Sequence, residues 1–442
     1  MGAPALDPPE TVLGQLQRGL GRAHFAATRG GAGEGEWLHC VSHDPRWDRQ
    51  LEERAAYYAK LGLELCVDVT PVGEAVRSGD PRRWDGGLAA DVLMEMAVRG
   101  RADALQALRA EVRHDGWLAA LTALERAREY GQNFFTPSDL DAMADRPADE
   151  LRSAIERQGH LPWGKWAKTE PRIASLLKEA GLAESPPRPE APKPDTSMTT
   201  NELLAIAEPR NGVRVARVLA QRKDAASIAA MIEAARGSDR DAALAACRAL
   251  GALGHTGLLE HLDEVFGSPN PAPPRRHPGV ARYLEGLSPD HTLPRARVWL
   301  SKGGYAAVAA ERILAREARA EDRSLVETTL GVALDDGAVY RACSMVEALE
   351  SIGDRRSTEV LVQTFERIPY SWARPRVLRA LAASRSDALA ALAREALWDC
   401  DEEAREVAAV HAPREMRERL AQLADDGLEA EGVRDAARAR LG

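Results

Sequence analysis

Histidine and cysteine, the residue types that zinc prefers, cluster near the start of the chain. Residues 39–44 read HCVSHD, and Cys66 and Asp68 follow. A structural zinc site needs four ligands in a closed tetrahedral arrangement, commonly supplied as two closely spaced pairs. Because Cys66 alone would have to supply the second pair, we predict no metal or other cofactor. Cys40 is then expected to pack within a helix, with His43 at the end of that helix.

A second motif has the spacing of a phosphate-binding loop. Residues 159–166 read GHLPWGKW, but Trp166 stands where the motif needs serine or threonine for magnesium. The preceding residues 151–158 have a helical rather than a strand pattern. We therefore expect Trp163 and Trp166 to anchor the end of the N-terminal helices instead of binding a nucleotide.

Covalent catalysis needs a nucleophile beside a base, and the sequence assigns no such pair. The dipeptides 43–44 and 114–115 are both His-Asp, but neither has an identifiable serine or cysteine partner. Both lie at predicted helix ends, where histidine and aspartate are common. We predict no catalytic residue, which favours a role other than that of an enzyme.

Tryptophan flanked by arginine and aspartate occurs twice in the first part of the chain. Residues 44–48 read DPRWD and residues 80–85 read DPRRWD. In each, aspartate can cap a helix while proline takes its first position, where the missing amide costs nothing. The tryptophans either pack against preceding helices or form an interaction surface, where tryptophan and arginine are enriched. The candidate interaction surface consists of Arg46, Trp47, Arg49, Arg82, Arg83 and Trp84.

The elements that position these residues are helices. Residues 248–254 (RALGALG) are echoed by residues 347–353 (EALESIG), and each phrase leads into another apolar helix. Equivalent leucines recur at steps of 34, 30, 35 and 32 residues, the period of a helix-pair repeat. These leucines are Leu250, Leu284, Leu314, Leu349 and Leu381. The pattern predicts an all-α fold of stacked helical hairpins without a sheet.

A proline-rich segment divides the predicted helices into two blocks. Residues 184–198 contain five prolines and no apolar periodicity, which is typical of a semi-rigid linker. We predict an N-terminal block over residues 1–183 with irregular repeats, and a C-terminal repeat array over residues 199–442. A shorter proline-rich stretch, residues 268–278, is expected to be a loop between helices.

Composition narrows the class of protein. The formal charge of −9 argues against indiscriminate binding of polyanions, although it leaves room for a local basic groove. The five cysteines are scattered and form no CxxC pair, which indicates a reducing compartment. We see no signal peptide and no apolar run of about 18 residues, so we expect a cytoplasmic protein with no membrane partner.

The repeated phrases resemble HEAT repeats of the armadillo type, in the short bacterial form also found in phycobilin-lyase-like proteins. The resemblance is clearest over residues 224–400 and extends, with irregular helices, to residues 44–130. The chain is also similar to bacterial HEAT-repeat proteins of uncharacterised function in which DPRWDxQ precedes a Tyr-Tyr pair, as residues 44–50 and 57–58 do here. The resemblance implies an α-solenoid that acts as a protein-interaction scaffold, and it implies no reaction.

Two classes of HEAT-type enzyme provide further comparisons. Iron-dependent hydroxylases use His-Glu dipeptides, and this sequence contains none. Alkylpurine DNA glycosylases hold a damaged nucleotide in a basic cleft with tryptophans and a carboxylate, and Trp-Asp pairs occur here at 47–48, 84–85 and 398–399. We expect a non-catalytic scaffold that presents a concave surface to a protein partner. The alternative is a nucleic-acid-binding protein that resembles these glycosylases.

Overall fold

The computed structural model describes residues 5–30, 33–79, 87–158, 163–182, 191–267 and 279–442. Over these ranges the chain is helical and contains no strand, which confirms the predicted all-α class. None of the helices described is both long and apolar enough to cross a bilayer.

The helices are numbered here in chain order. The first are α1 (Val12–Arg18), α2 (Gly21–Gly30), α3 (Gly33–His43), α4 (Ala55–Glu64), α5 (Thr70–Ser78), α6 (Gly87–Val98), α7 (Ala102–Glu111), α8 (Trp117–Arg126), α9 (Pro137–Ala144), α10 (Ala148–Gln158), α11 (Trp163–Trp166) and α12 (Pro171–Glu179). The next are α13 (Thr200–Ala205), α14 (Gly212–Leu219), α15 (Ala225–Arg236), α16 (Arg240–Ala252), α17 (Leu259–Gly267), α18 (Val280–Glu285), α19 (Pro289–Trp299), α20 (Gly304–Glu317), α21 (Arg323–Asp335), α22 (Val339–Ile352) and α23 (Thr358–Arg367). The last are α24 (Ala373–Ala383), α25 (Ala388–Ala396), α26 (Glu402–His411), α27 (Arg417–Asp425) and α28 (Glu431–Leu441).

The chain forms two compact units. The first unit consists of Met1–Pro187, Val362–Ala382 and Ser386–Gly442, and the second consists of Arg188–Leu361 and Ala383–Arg385. Helices α1 to α12 and α25 to α28 therefore lie in the first unit, and α13 to α22 lie in the second. The first and last helices of the chain belong to the same unit.

The core of the first unit surrounds α6, which is buried along most of its length from Leu88 to Ala97. Apart from Asp91 and Glu95, α6 consists of apolar residues and glycine, and it packs against α4, α5, α7 and α8. Helix α4 approaches α3 closely because Gly62 has no side chain. A Cβ at position 62 would lie 2.7 Å from the ring of Trp37 on α3. The indole N–H of Trp37 in turn donates to the backbone oxygen of Tyr58 at 2.8 Å.

Two tryptophans singled out in the sequence lie at the far end of this core. Trp163 and Trp166 are buried and form α11, with their ring centroids 5.2 Å apart. Trp163 meets Trp117 edge-on, and Trp166 stacks on Phe135. Their burial confirms the predicted anchoring role, while residues 159–162 lie outside the described residues.

In the second unit, helices pack both with sequence neighbours and with every second helix. Helices α15 and α16, α19 and α20, and α21 and α22 pack as neighbouring pairs, and α16, α18, α20 and α22 pack in succession. The five leucines that recur in the sequence lie on α16, α18, α20, α22 and α24, and each is at most 5% exposed. The predicted spacing thus identified buried positions on alternate helices. The predicted loop 268–278 lies outside the described residues.

The described part of the proline-rich segment is residues 191–198, which contain no helix. The backbone oxygen of Pro192 accepts a hydrogen bond from Asn211 Nδ2 at 3.0 Å, and that of Thr196 accepts one from Arg222 Nη2 at 3.1 Å. These bonds fasten residues 191–198 to both ends of α14.

Candidate functional site

A cleft of about 990 Å³ in the first unit is lined by the loop that joins α3 to α4 and by residues of α6 and α8. Three residues of the predicted interaction surface line this cleft, namely Arg46, Trp47 and Arg49. The other three, Arg82, Arg83 and Trp84, lie outside the described residues. We call the first three residues and the walls around them the Trp47 cleft.

The loop at the entrance of the cleft begins with an unusual backbone conformation. Asp44 has a φ of 32°, in the left-handed region that side chains other than glycine rarely adopt. Its buried carboxylate accepts hydrogen bonds from Arg46 Nε and Nη2, both at 2.8 Å, and pairs with Arg49 at 3.2 Å. The interpretation of this segment as a helix start was therefore wrong. Helix α3 ends at His43, and α4 begins only at Ala55.

Two buried charges fix the other end of this loop. Glu52 Oε1 accepts hydrogen bonds from Arg54 Nη2 at 2.5 Å and from the backbone N–H of Ser371 at 2.8 Å. Arg54 Nη2 also donates to the backbone oxygen of Pro369 at 2.9 Å. Burial alone would raise the pKa of Glu52, but the charge of Arg54 and these hydrogen bonds lower it. The loop is thus held against the C-terminal part of the first unit.

The opposite wall of the cleft carries a second ion pair. Arg126 Nη1 lies 2.9 Å from Asp91 Oδ2, and Arg126 Nη2 lies 3.5 Å from Glu53 Oε1. Burial raises the pKa of Asp91 in spite of Arg126. The Asp91 carboxylate in turn raises the pKa of Arg126. This wall is therefore polar, and its charged side chains mostly neutralise one another.

As far as the described residues line it, the Trp47 cleft is not a basic groove. Its charged lining consists of Arg46, Arg49, Arg54, Arg126, Asp44, Asp48, Glu52, Glu53, Asp91 and Glu129. Six carboxylates thus outnumber four arginines, and several of these groups pair with one another. Trp47 is half-buried and adds an apolar ring to this polar surface. Such a surface can hydrogen-bond a polar or basic polypeptide, whereas a phosphate backbone would meet an excess of negative charge.

The candidate zinc ligands do not form a cluster. The rings of His39 and His43 stack at 4.3 Å on α3. Cys40 is buried in that helix, which raises the pKa of its thiol to about 12, and Cys66 is exposed. Across the described ranges, no group of three or more His, Cys, Asp or Glu side chains is placed to hold a metal. The predicted packing of Cys40 and the position of His43 at the helix end are both confirmed.

Of the Trp-Asp pair at 398–399, Asp399 is buried in the core, whereas Trp398 is only half-buried. Arg374 donates two hydrogen bonds to Asp399, from Nε at 2.7 Å and from Nη2 at 2.8 Å, and both side chains are fully buried. Arg374 Nη2 also lies 3.2 Å from the sulfur of Cys400. The backbone N–H of Cys400 donates to the oxygen of Gly19 at 3.0 Å, which joins the last helices to the first.

A second cavity in the first unit was not foreseen from the sequence. Its volume is about 350 Å³, and its lining comes from α2, α4, the residues after α6 and α25, and helices α26 and α27. The lining includes four permanently charged cations, Lys60, Arg99, Arg405 and Arg419, beside the ring of Trp398. Because these residues come from distant parts of the chain, no local spacing brings them together; the isolated Trp398 was the one signal.

Comparison with known proteins does not assign the chain to a family. The chain matches no family model, and no curated protein or solved structure is similar enough to support an assignment.

Proposed function

We propose that this chain is a non-catalytic scaffold that binds a protein partner, and that the Trp47 cleft is a principal contact surface. The observation that supports this proposal best is the composition of the cleft. It combines a half-buried tryptophan with paired charges in which carboxylates outnumber guanidinium groups. Aromatic and arginine side chains carry most of the energy at protein interfaces.

We further propose that the second unit is a HEAT-like α-solenoid. Its alternate helices pack in succession, with a buried leucine at the equivalent position of each. In such an array, equivalent surface positions of successive repeats form one strip for a partner. Val298 on α19 and Val332 on α21 are 34 residues apart and about half exposed, as positions on such a strip would be.

The charge of the cleft favours a polypeptide over a nucleic acid. A protein that binds DNA collects arginine and lysine against the phosphates, and its affinity falls steeply with salt. In the Trp47 cleft, Arg46 and Arg49 are instead held by Asp44, and Arg126 by Asp91. The positive charges of these arginines are therefore largely neutralised by carboxylates of the protein itself.

The test is affinity capture from the native cell extract with matched baits. The full chain is compared with Trp47→Ala and with Trp372→Ala, which removes a tryptophan that is 37% exposed elsewhere in the first unit. We expect a partner that survives nuclease treatment, binds the Trp372→Ala bait normally, and is weakened about 30-fold by Trp47→Ala, the effect of losing a hot spot worth about 2 kcal/mol.

A direct measurement of DNA binding tests the alternative. Fluorescence anisotropy with duplex and single-stranded oligonucleotides at 50 and 200 mM salt should detect no binding, because the cleft carries an excess of carboxylates. Saturable binding that weakens steeply with salt, together with recovery of nucleic acid alone from the extract, would overturn the proposed scaffold in favour of a nucleic-acid-binding protein.

A further inference from the structure

The second cavity of the first unit holds an arginine whose charge is not neutralised locally. Arg419, on α27, donates to the backbone oxygen of Leu397 from Nε at 3.3 Å and from Nη2 at 3.0 Å, and to Gln422 Oε1 from Nη1 at 3.4 Å. All these acceptors are neutral, and Arg419 forms no ion pair with any described carboxylate. Its guanidinium lies over the ring of Trp398, 4.7 Å from the centroid. A guanidinium group carries five N–H donors, so capacity remains for an anion.

The other cations of the cavity are already paired. Lys60 Nζ lies 2.9 Å from Asp426 and 3.0 Å from Glu429, and Arg405 Nη2 lies 2.6 Å from Glu429. Arg99 pairs with Glu95 outside the cavity lining. Among the four cations of the lining, Arg419 is thus the one that forms no ion pair with a described carboxylate. Arg405 adds a further donor, because its buried Nε has no hydrogen-bond acceptor among the described residues.

No described carboxylate near the cavity forms an ion pair with Arg419, although the charges of Glu429, Glu64 and Asp426 act to raise its pKa. Glu64 Oε2 lies 2.9 Å from His24 Nε2, a contact that is an ion pair only when the histidine is protonated, and Asp426 pairs with Lys60. Asp399 lines the cavity, but its carboxylate is bound by Arg374 in the core. Burial and then the nearby charge of Arg405 lower the pKa of Arg419 to about 10, which agrees with a cation that lacks an anion.

The shape of the cavity indicates the size of what it could hold. Its volume of about 350 Å³ lies at the lower end of the range of small-molecule sites, about 300–1,000 Å³. Tyr57, Leu63 and Trp398 give it apolar walls beside the cations. A planar guanidinium matches the geometry of carboxylate and phosphate groups, to which it donates two parallel hydrogen bonds.

We propose that this cavity binds a small-molecule oxyanion, a carboxylate or a phosphate group, through the guanidinium of Arg419. The apolar walls would take the body of the ligand. Because α4 on one side and α26 and α27 on the other line the cavity, the ligand would join the first helices of the chain to the last. This site is separate from the Trp47 cleft, and the proposal stands whether or not that cleft binds a protein.

The experiment is a titration of the full chain at constant ionic strength, with sodium chloride replaced stepwise by inorganic phosphate or by acetate. A ligand that binds only the folded state raises the melting temperature along a curve that flattens above its dissociation constant, because the stabilisation then grows as the logarithm of the ligand concentration. We expect such a rise with at least one of the two anions. Phosphate alone would identify a phosphate group as the ligand, acetate alone would identify a carboxylate, and a response to both would indicate a general oxyanion site.

Three variants locate the effect. Arg419→Gln should weaken the apparent affinity at least tenfold, and Arg419→Lys should retain part of it because the charge remains without the planar fork. Arg417→Gln removes an exposed arginine from the same helix, outside the cavity lining, and should titrate like the unmodified chain. If Arg419→Gln does not fold, the anion affinities of Arg419→Lys and Arg417→Gln are compared instead. A weaker affinity in Arg419→Lys alone would support binding through Arg419.

Three results would overturn the proposal. The first is the absence of this curved rise in melting temperature with either anion. The second is a linear rise that is equal in all variants, as a general salt effect would give. The third is an unchanged affinity in the folded Arg419 variants. Arg419 would then serve to cap the C-terminus of α25 and to cover Trp398.

Discussion

Replacing Arg374 by alanine is expected to destabilise the first unit strongly. Arg374 and Asp399 are completely buried and joined by hydrogen bonds of 2.7 and 2.8 Å. Burial disfavours the charged guanidinium, yet the carboxylate of Asp399 keeps the pKa of Arg374 above its ordinary value. Alanine would leave the Asp399 carboxylate in the core, with the backbone N–H of Asp401 as its remaining donor among the described residues.

The size of the effect follows from the burial of the pair. Removing one partner of a buried ion pair costs about 3–5 kcal/mol, because the remaining charge has lost its water and its counter-charge. In a unit of this size, each kcal/mol lowers the melting temperature by about 2–4 °C. The expected decrease for Arg374→Ala is therefore about 6–20 °C.

Tryptophan fluorescence is a suitable assay because eight of the nine tryptophans belong to the first unit. The control is Arg394→Ala, which breaks a pair with Glu415 whose side chains are 54% and 60% exposed. Exposed pairs contribute at most about 1 kcal/mol. A double variant, Arg374→Met with Asp399→Leu, should recover most of the lost stability, because no charge is then buried alone. Equal melting temperatures for Arg374→Ala and Arg394→Ala would refute this account of the core.

Three further substitutions test other parts of the structure by thermal unfolding. Leu349→Asp should lower the free energy of unfolding by more than about 3 kcal/mol, since it buries a charge. Val332→Asp, on the exposed face of α21, should lower it by less than about 1 kcal/mol. Gly19→Ala should lower the free energy of unfolding by about 1–3 kcal/mol more than Gly100→Ala does. Both glycines have positive φ, but only at Gly19 would the methyl lie 2.3 Å from a buried sulfur. Burial and then a neighbouring carboxylate raise the pKa of Asp401 to about 6 in the folded protein, so its contribution to stability should fall as the pH rises from about 4 through 6. Asp401→Asn should remove up to about 3 kcal/mol of that pH dependence while keeping the helix cap, and an unchanged pH profile would refute the assignment.

The helical class and several core positions could be predicted because their signals are local. A leucine such as Leu250 recurs at steps of 30–35 residues, which marks the equivalent buried position of each repeat. The same holds for Trp163 and Trp166, which sit one turn apart on α11. Neither inference needs any knowledge of which helices pack together.

The loop at residues 44–54 shows how a local rule can fail. Aspartate followed by proline is typical of a helix start, because the carboxylate accepts a backbone N–H of the first turn. Here the carboxylate of Asp44 is taken by the guanidinium groups of Arg46 and Arg49, and no helix begins before Ala55. Charged side chains two and five residues away outcompeted the cap.

The pairing of the first helices with the last had no signal in the sequence. The backbone N–H of Ser371 donates to Glu52 across 319 residues, and Cys400 meets Gly19 across a still longer separation. Spacing rules describe residues within one helix or one hairpin, whereas these contacts depend on how the whole chain returns to its start. The cavity around Arg419 escaped notice for the same reason.

Both proposed sites depend on that return of the chain. The loop that carries Trp47 is fixed through Glu52 to the residues that precede α24, and the cavity around Arg419 is walled by α4 on one side and α26 and α27 on the other. Because the Arg374 pair lies in the core between these parts, Arg374→Ala should weaken oxyanion binding at Arg419 and partner binding at Trp47 together. Binding and the stability of the first unit would then be linked, since any ligand that requires the closed arrangement stabilises it. Loss of stability with both affinities intact would mean that each site is held by its own local contacts.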